Sequence, residues 1–319
     1  GAITVIKRTE RLEAAVRNTD PTLTDLAESE IIGADELGAP PPKRLQTVLR
    51  SLRPRTFLET YGVIVICVMT AAIVAAPLLA SDPLQQDISA ALTGPGSDHW
   101  LGTDNLGRDV WARILYGGRV SLITGLFVLL IAGTIGVIYG AISGFFGGII
   151  DSVMMRVVDI FLSFPAIMLA LLISAALGPT VRNAIIAIAA AWWPVYARLI
   201  RGQVIVVKER EYVTASRALG AGQMRNLFQT VLPNSFGVMK TIFVLDIGYA
   251  ILAGSTLGFL GLGVSLPTPE WGVMIREALQ FPNSWWFIYS PGVALLLFVS
   301  AINFAGGIAT RSVHEIQSR

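Results

Sequence analysis

The sequence predicts an all-α integral membrane protein with six transmembrane helices, and three observations carry that expectation. Hydrophobic residues make up 53% of the chain and charged residues 14%, with a mean hydropathy of +0.63, too apolar for an ordinary water-soluble domain. Six apolar windows approach or exceed the ~20 residues a helix needs to cross a hydrocarbon core. Between the fourth and fifth lies the longest charged, helix-forming segment found between apolar runs, Glu209 to Asn234.

Residues 1–42 are polar, lack a sustained period and finish in Pro40-Pro41-Pro42, which reads as a cytoplasmic, partly disordered tail. No signal peptide is expected, because the first apolar run starts too late and is too long for one. Residues 43–57 read as an amphipathic interfacial helix. Leu45, Val48, Leu49 and Leu52 share one face, with Lys43, Arg44, Arg50 and Arg53 around it. A partner-binding helix of the calmodulin-target kind is the other reading, disfavoured by the spanning segment that follows at once. Residues 58–319 form the six-helix transmembrane domain.

The crossings are expected at Tyr61–Ala80, Val120–Ser143, Ile160–Leu177, Asn183–Ala197, Phe236–Gly261 and Phe287–Thr310, with Gly144–Ile150 as a turn after the second. The fourth is short before Arg198, but Arg198 and Arg201 can snorkel and lengthen it. This assignment puts both termini on one side with 19 of the 24 Lys and Arg residues; Arg108, Arg113, Arg119, Arg182 and Arg276 fall on the other. Both termini are therefore expected in the cytoplasm. Gly136, Gly140, Gly144 and Gly148 recur every four residues, aligning a groove for close approach of another helix. Gly254, Gly258, Gly261 and Gly263 suggest the same for the fifth crossing. A net charge of +2 argues for no nucleic-acid partner, and the lone Cys67 excludes a disulfide within the chain.

Within the charged segment, Glu211–Leu219 is a good helix former with Tyr212, Ala215 and Leu219 on one face. Gly220, Ala221 and Gly222 interrupt it. Met224, Leu227, Phe228 and Val231 then mark a second helix that Pro233 is expected to stop. Two short helices on a glycine turn make a projecting docking device; composition alone also allows a hairpin lying on lipid head groups. In the external loop Ser81–Gly118, opposite charges at Asp104, Arg108, Asp109 and Arg113 are spaced to pair at one helical start, Arg113 four residues after Asp109. The plain reading is a solvated salt-bridge network. A second external loop holds Trp271, Trp285 and Trp286, which suit anchoring at the membrane interface better than gripping a substrate.

Leu101 to Leu122, LGTDNLGRDVWARILYGGRVSL, closely resembles the GTDxxGRDxxxR pattern of the dipeptide, oligopeptide and nickel permease family, agreeing at Gly102, Thr103, Asp104, Gly107, Arg108, Asp109, Arg113, Gly117, Arg119 and Ser121. Gly220 followed by Leu232-Pro233, with Glu211-Tyr212-Val213 and Ala218-Leu219-Gly220, resembles the cytoplasmic coupling (EAA) loop of bacterial ABC importer permeases. Gly258–Gly263 (GFLGLG) and Pro267–Gly272 (PTPEWG) add to the likeness, which runs from about Leu101 to the sixth crossing. Thr214 stands where an acidic residue usually begins the coupling triplet, Ser216 replaces its second alanine, and Glu211 one turn earlier can supply the charge. The acidic or polar residue that often precedes GFLGLG has no counterpart in Ala253-Gly254-Ser255, so its role does not transfer.

The resemblance implies a type I ABC importer permease of the bacterial plasma membrane that forms a heterodimer with a second, homologous permease. It implies two ABC ATPase subunits or domains, which bind the ATP and Mg, and an external binding protein that delivers a peptide. Glu211, Tyr212, Ala215, Ser216, Leu219, Gly220, Leu232 and Pro233 would couple to the ATPase; Asp104, Arg108, Asp109, Arg113 and Trp271 would shape the external mouth.

No enzyme is expected in the chain itself. It has no GxxxxGK[ST] phosphate loop, and His99 and His314 stand alone without metal-ligand spacing, so no cofactor or metal is assigned to it. The alternatives are a nickel or other small-solute permease of the same family and an ion-driven secondary transporter. In the latter Asp246, or Asp159 at a boundary, would be the coupling acid; otherwise Asp246 faces a water-filled pathway or pairs with Lys240. A non-transporting scaffold would leave the charged segment unexplained.

Overall fold

The structure, a computed structural model, describes residues 56–317. The tail expected over 1–42 lies outside them, as does the amphipathic helix expected over 43–57 apart from Thr56 and Phe57. The described residues form α1 (Phe57–Val74), α2 (Ala76–Leu79), α3 (Val110–Phe146), α4 (Gly148–Leu162), α5 (Ala166–Leu177), α6 (Val181–Lys208), α7 (Glu211–Ala218), α8 (Gln223–Arg225), a π-helical turn Asn226–Val231, α9 (Leu232–Phe259), α10 (Trp271–Ala278) and α11 (Trp285–Gln317). By length and composition five helices can cross a membrane: α1, α3, α6 and parts of α9 and α11. The pair α4 and α5, bent by 82°, makes a sixth if it counts as one span.

That bend corrects the continuous third crossing expected over Ile160–Leu177. Pro165 has no N–H to donate and disfavours helical backbone at Phe164 before it, so α4 ends at Leu162 and α5 starts afresh at Ala166. The apolar run reads straight through the break because every residue from Ile160 to Leu177 is uncharged.

The second crossing begins ten residues before the expected Val120. Asp109 caps α3 by accepting from the Ala112 amide at 2.8 Å, and the helix continues for 37 residues to Phe146, roughly 55 Å at ~1.5 Å per residue. The turn expected over Gly144–Ile150 shrinks to Gly147 and Gly148, both at positive φ. Charge hid the true start, yet both arginines inside it have partners. Arg113 is buried in an ion network described below. Arg119 donates to the Ile73 and Val74 carbonyls at 2.8 and 2.6 Å, closing the end of α1.

The fourth crossing is a single helix of 28 residues, capped by Thr180. Arg198 and Arg201 do not snorkel as free ends. Arg198 pairs with Asp159, and Arg201 with Asp151 at 2.5 and 2.6 Å, so α6 is clamped to α4.

Gly136, Gly140 and Gly144 face the backbone of α6 at Trp193, Ala197 and Arg201. A Cβ at Gly136 would lie 2.5 Å from the Trp193 carbonyl oxygen, and one at Gly144 2.8 Å from that of Arg201. The stripe thus serves close helix packing as expected. Gly148 lies outside it, in the turn with open space around it. Of the four glycines expected to pack the fifth crossing, Gly254 meets α3 at Thr124 and Gly258 meets α10 at Val273. Gly258 and Gly263 approach each other and Gly261 takes φ +82°, so those three glycines shape the end of the helix and its loop. One apolar core lies among α3, α5, α6 and α9, and a second among α1, α3, α10 and α11.

Candidate functional site

Two places gather the residues singled out from the sequence. At one end α6 closes at Lys208, whose ammonium donates to the Gly144 carbonyl at 2.9 Å, and the chain projects as α7. Val213 is fully buried and pins α7 down. Glu211 sits in the first turn and Arg217 in the last, each at the end where the helix dipole favours its charge. Arg217 also stacks over the Phe145 ring at the end of α3. Gly220, at φ +85°, reverses the chain in a conformation that side chains with a Cβ rarely adopt.

The second half departs from the expected helix Met224–Leu232. After one turn, α8, the backbone passes through the π-helical turn Asn226–Val231 straight into α9. Pro233 does not stop the helix; it stands in the first turn of α9. The widened turn suits it: the Leu232 amide reaches back to the Leu227 carbonyl, five residues earlier, ahead of a residue with no amide to offer.

Asn226 holds the two halves together, and sequence reasoning missed it. It is 1% exposed, accepts from the Ser216 hydroxyl at 2.6 Å and donates to the Ala221 carbonyl at 3.1 Å. The serine that replaces an alanine in the coupling triplet therefore has a partner ten residues on. Of the apolar positions, Leu227 and Val231 are buried, whereas Tyr212 (46% exposed), Leu219 (88%), Met224 (58%) and Phe228 (46%) point outward with Ala215. The knob presents an apolar face with no cover among the described residues.

At the opposite end of the spans lies the loop before α3. The spacing suggested that Arg113 pairs with Asp109 in a solvated network; neither half of that expectation holds. Asp109 spends its carboxylate capping α3 and contacting His99 Nδ1 at 3.1 Å. Asp104, completely buried, takes Arg108 Nε at 2.6 Å and also Arg113. Glu277 of α10 completes the square, 3.1 Å from Arg108 and 2.7 Å from Arg113. Two carboxylates balance two guanidiniums out of water, the condition under which buried charges are tolerated. The partner 164 residues away left no local signal.

Trp271 is no interfacial anchor. It is fully buried and its indole donates to the Ile114 carbonyl at 3.0 Å. Trp285 is exposed, and Trp286 donates to the Thr103 carbonyl at 3.1 Å. Next to Trp271, Glu270 caps α10 and accepts from Ser121 at 3.1 Å and Ser255 at 2.6 Å, tying α3, α9 and α10 together. Ser255 belongs to the Ala253-Gly254-Ser255 stretch to which no role transferred.

The helical path, the projecting knob and the charged mouth can be set beside known proteins. Residues 136–315, more than half of the chain, match the family described as the inner membrane component of binding-protein-dependent transport systems. The chain belongs to that family. Among relatives of this permease, the probable D,D-dipeptide transport system permease protein DdpC of Escherichia coli is 40% identical over 251 residues, covering 78% of this chain and 84% of its own. The dipeptide transport system permease protein DppC of Alkalihalophilus pseudofirmus is 39% identical over 279 residues, covering 85% and 92%. The nickel transport system permease protein NikC of Escherichia coli is 41% identical over 233 residues, covering 70% and 82%. The permease is thus a multi-span subunit of an ABC importer, and its membership displaces the ion-driven alternative.

Proposed function

We propose that this permease takes up dipeptides or oligopeptides, delivered by an external binding protein, through a pathway that it forms with a second, homologous permease. Two ATPase subunits or domains, one of them docked on the knob of α7 and α8, bind ATP and Mg, and by closing drive the spans from inward-facing to outward-facing. The carrying observation is the apolar face of Tyr212, Leu219, Met224 and Phe228, held outward on a knob whose interior is fastened by Asn226. An uncovered face of this kind marks a protein contact. Glu211, Ala215, Ser216, Gly220, Leu232 and Pro233 shape or border it. Asp104, Arg108, Asp109, Arg113 and Trp271 stiffen the external mouth where the binding protein docks. Both termini lie in the cytoplasm, the side that carries the knob and most of the basic residues.

The dipeptide permeases among the relatives, one matched over 92% of its length, favour peptide as cargo. The similarity to a nickel permease supports a second reading, a nickel or other small-solute importer. Uptake of radiolabelled dialanine and of ⁶³Ni²⁺ by cells with and without the complete transporter separates them. ATP-dependent dialanine uptake that excess nickel leaves unchanged is expected; nickel uptake without dialanine uptake would establish the second reading.

A further inference from the structure

Asp246 lies inside a spanning helix, the sixth residue of the Thr241–Phe259 part of α9 that can cross a membrane, opposite Tyr196 of α6. The Tyr196 hydroxyl donates to its Oδ2 at 2.7 Å. Its other oxygen has no partner among the described residues; the side chain of Lys240, the pairing partner weighed from the sequence, lies outside them. The other acids of the spans are placed differently: Asp151 and Asp159 face arginines, and Glu59 sits in the first turn of α1. Tyr196 is itself fully buried against Phe243, so its hydroxyl holds the carboxylate in one orientation.

Asp246 is only partly covered, and Tyr249, one turn away on the same face, is 58% exposed. That face cannot rest on lipid without a penalty. An acid inside a spanning helix is costly against lipid, and such residues turn to a water-filled cavity or a partner. Two apolar grooves of the permease do not include it; one of about 460 Å³ is lined by Leu129, Val137, Phe236 and Phe243, the other by Trp271 and its neighbours. Neither offers a peptide a charged group.

We propose that Asp246 lines the translocation pathway and binds the cationic ammonium group of the peptide within the membrane, with the Tyr249 ring one turn away. The assignment rests on the peptide reading above. A carboxylate and an aromatic face are the two groups that attract an alkylammonium out of water. A single carboxylate with one oxygen already engaged holds it weakly enough for release, as conduction through a pathway requires.

The test uses the complete transporter in proteoliposomes. Asp246→Asn should lower dialanine uptake about tenfold while ATP hydrolysis stimulated by the binding protein stays within twofold of wild type, and Asp246→Glu should stay within threefold in uptake. In a Cys67→Ala background, Asp246→Cys should react with the cationic thiol reagent MTSET, and dialanine should slow that reaction at least threefold. Uptake by Asp246→Asn at the wild-type rate, or an Asp246→Cys variant that stays unreactive in both ATP-free and ATP-bound states, would overturn the proposal, the latter pointing to burial against the second permease. Should Asp246→Asn fail to assemble, the cysteine reaction and its protection decide. If the wild type moves no dialanine, the peptide reading fails and the ammonium assignment with it. The reactivity of the introduced thiol then still reports separately whether this face meets water.

Discussion

At the scale of single residues, Asn226 and the square of Asp104, Arg108, Arg113 and Glu277 carry the greatest consequences. Truncating Asn226 strands the Ser216 hydroxyl and the Ala221 carbonyl, at about 1–3 kcal/mol for a lost partner in a covered place. Asn226→Ala should therefore speed amide hydrogen exchange across residues 211–231 and leave α3 and α6 as protected as before; equal protection of the knob would contradict its fastening role. Arg113→Ala leaves Asp104 and Glu277 short of a cation, and breaking a buried pair costs about 3–5 kcal/mol. Thermal unfolding in detergent should show a clear drop in midpoint, and an unchanged midpoint would mean that the network is dispensable. Three charges of this square, Asp104, Arg108 and Arg113, were legible as a cluster from their spacing. Their pairing was not, because Asp109 is consumed by capping α3 and Glu277 arrives from a distant helix.

At the scale of elements, a close-packed face on α3 was readable from glycine periodicity alone, and the structure puts α6 against Gly136, Gly140 and Gly144 there. A Cβ at Gly140 would run into the Ala197 carbonyl, so Gly140→Leu must push the helices apart. Overpacking of this kind costs about 1–3 kcal/mol, and the variant should give a markedly lower yield of monodisperse protein in detergent than Gly292→Leu, where the space is open. Similar yields would count against close packing there. In the knob, Gly220 at φ +85° cannot be replaced by proline, whose φ is fixed near −65°. Gly220→Pro should insert normally and keep its spans, yet lose uptake while ATP hydrolysis continues. Normal uptake would contradict the proposed coupling. Other element boundaries escaped the sequence for physical reasons. Hydropathy does not register the Pro165 bend in an uncharged run, and the first ten residues of α3 hold two arginines, one ion-paired and one donating to the end of α1 in the fold.

At the scale of the whole molecule, composition and span length led directly to a polytopic helical membrane protein, and the motifs led to its family. The span count depends on the bent pair α4 and α5, which only three-dimensional structure could expose. The sequence holds no GxxxxGK[ST] phosphate loop, and the knob is where we propose that a partner's ATP hydrolysis drives the spans. Gentle detergent purification of this permease from its native membrane, with identification of the co-purifying chains and an ATPase assay, tests that central claim most directly. A second permease and an ATPase at stoichiometric levels, with ATP hydrolysis stimulated by the binding protein, is the expected result. A chain that emerges alone or as a homo-oligomer, and whose reconstituted transport follows an ion gradient without ATP, would contradict it.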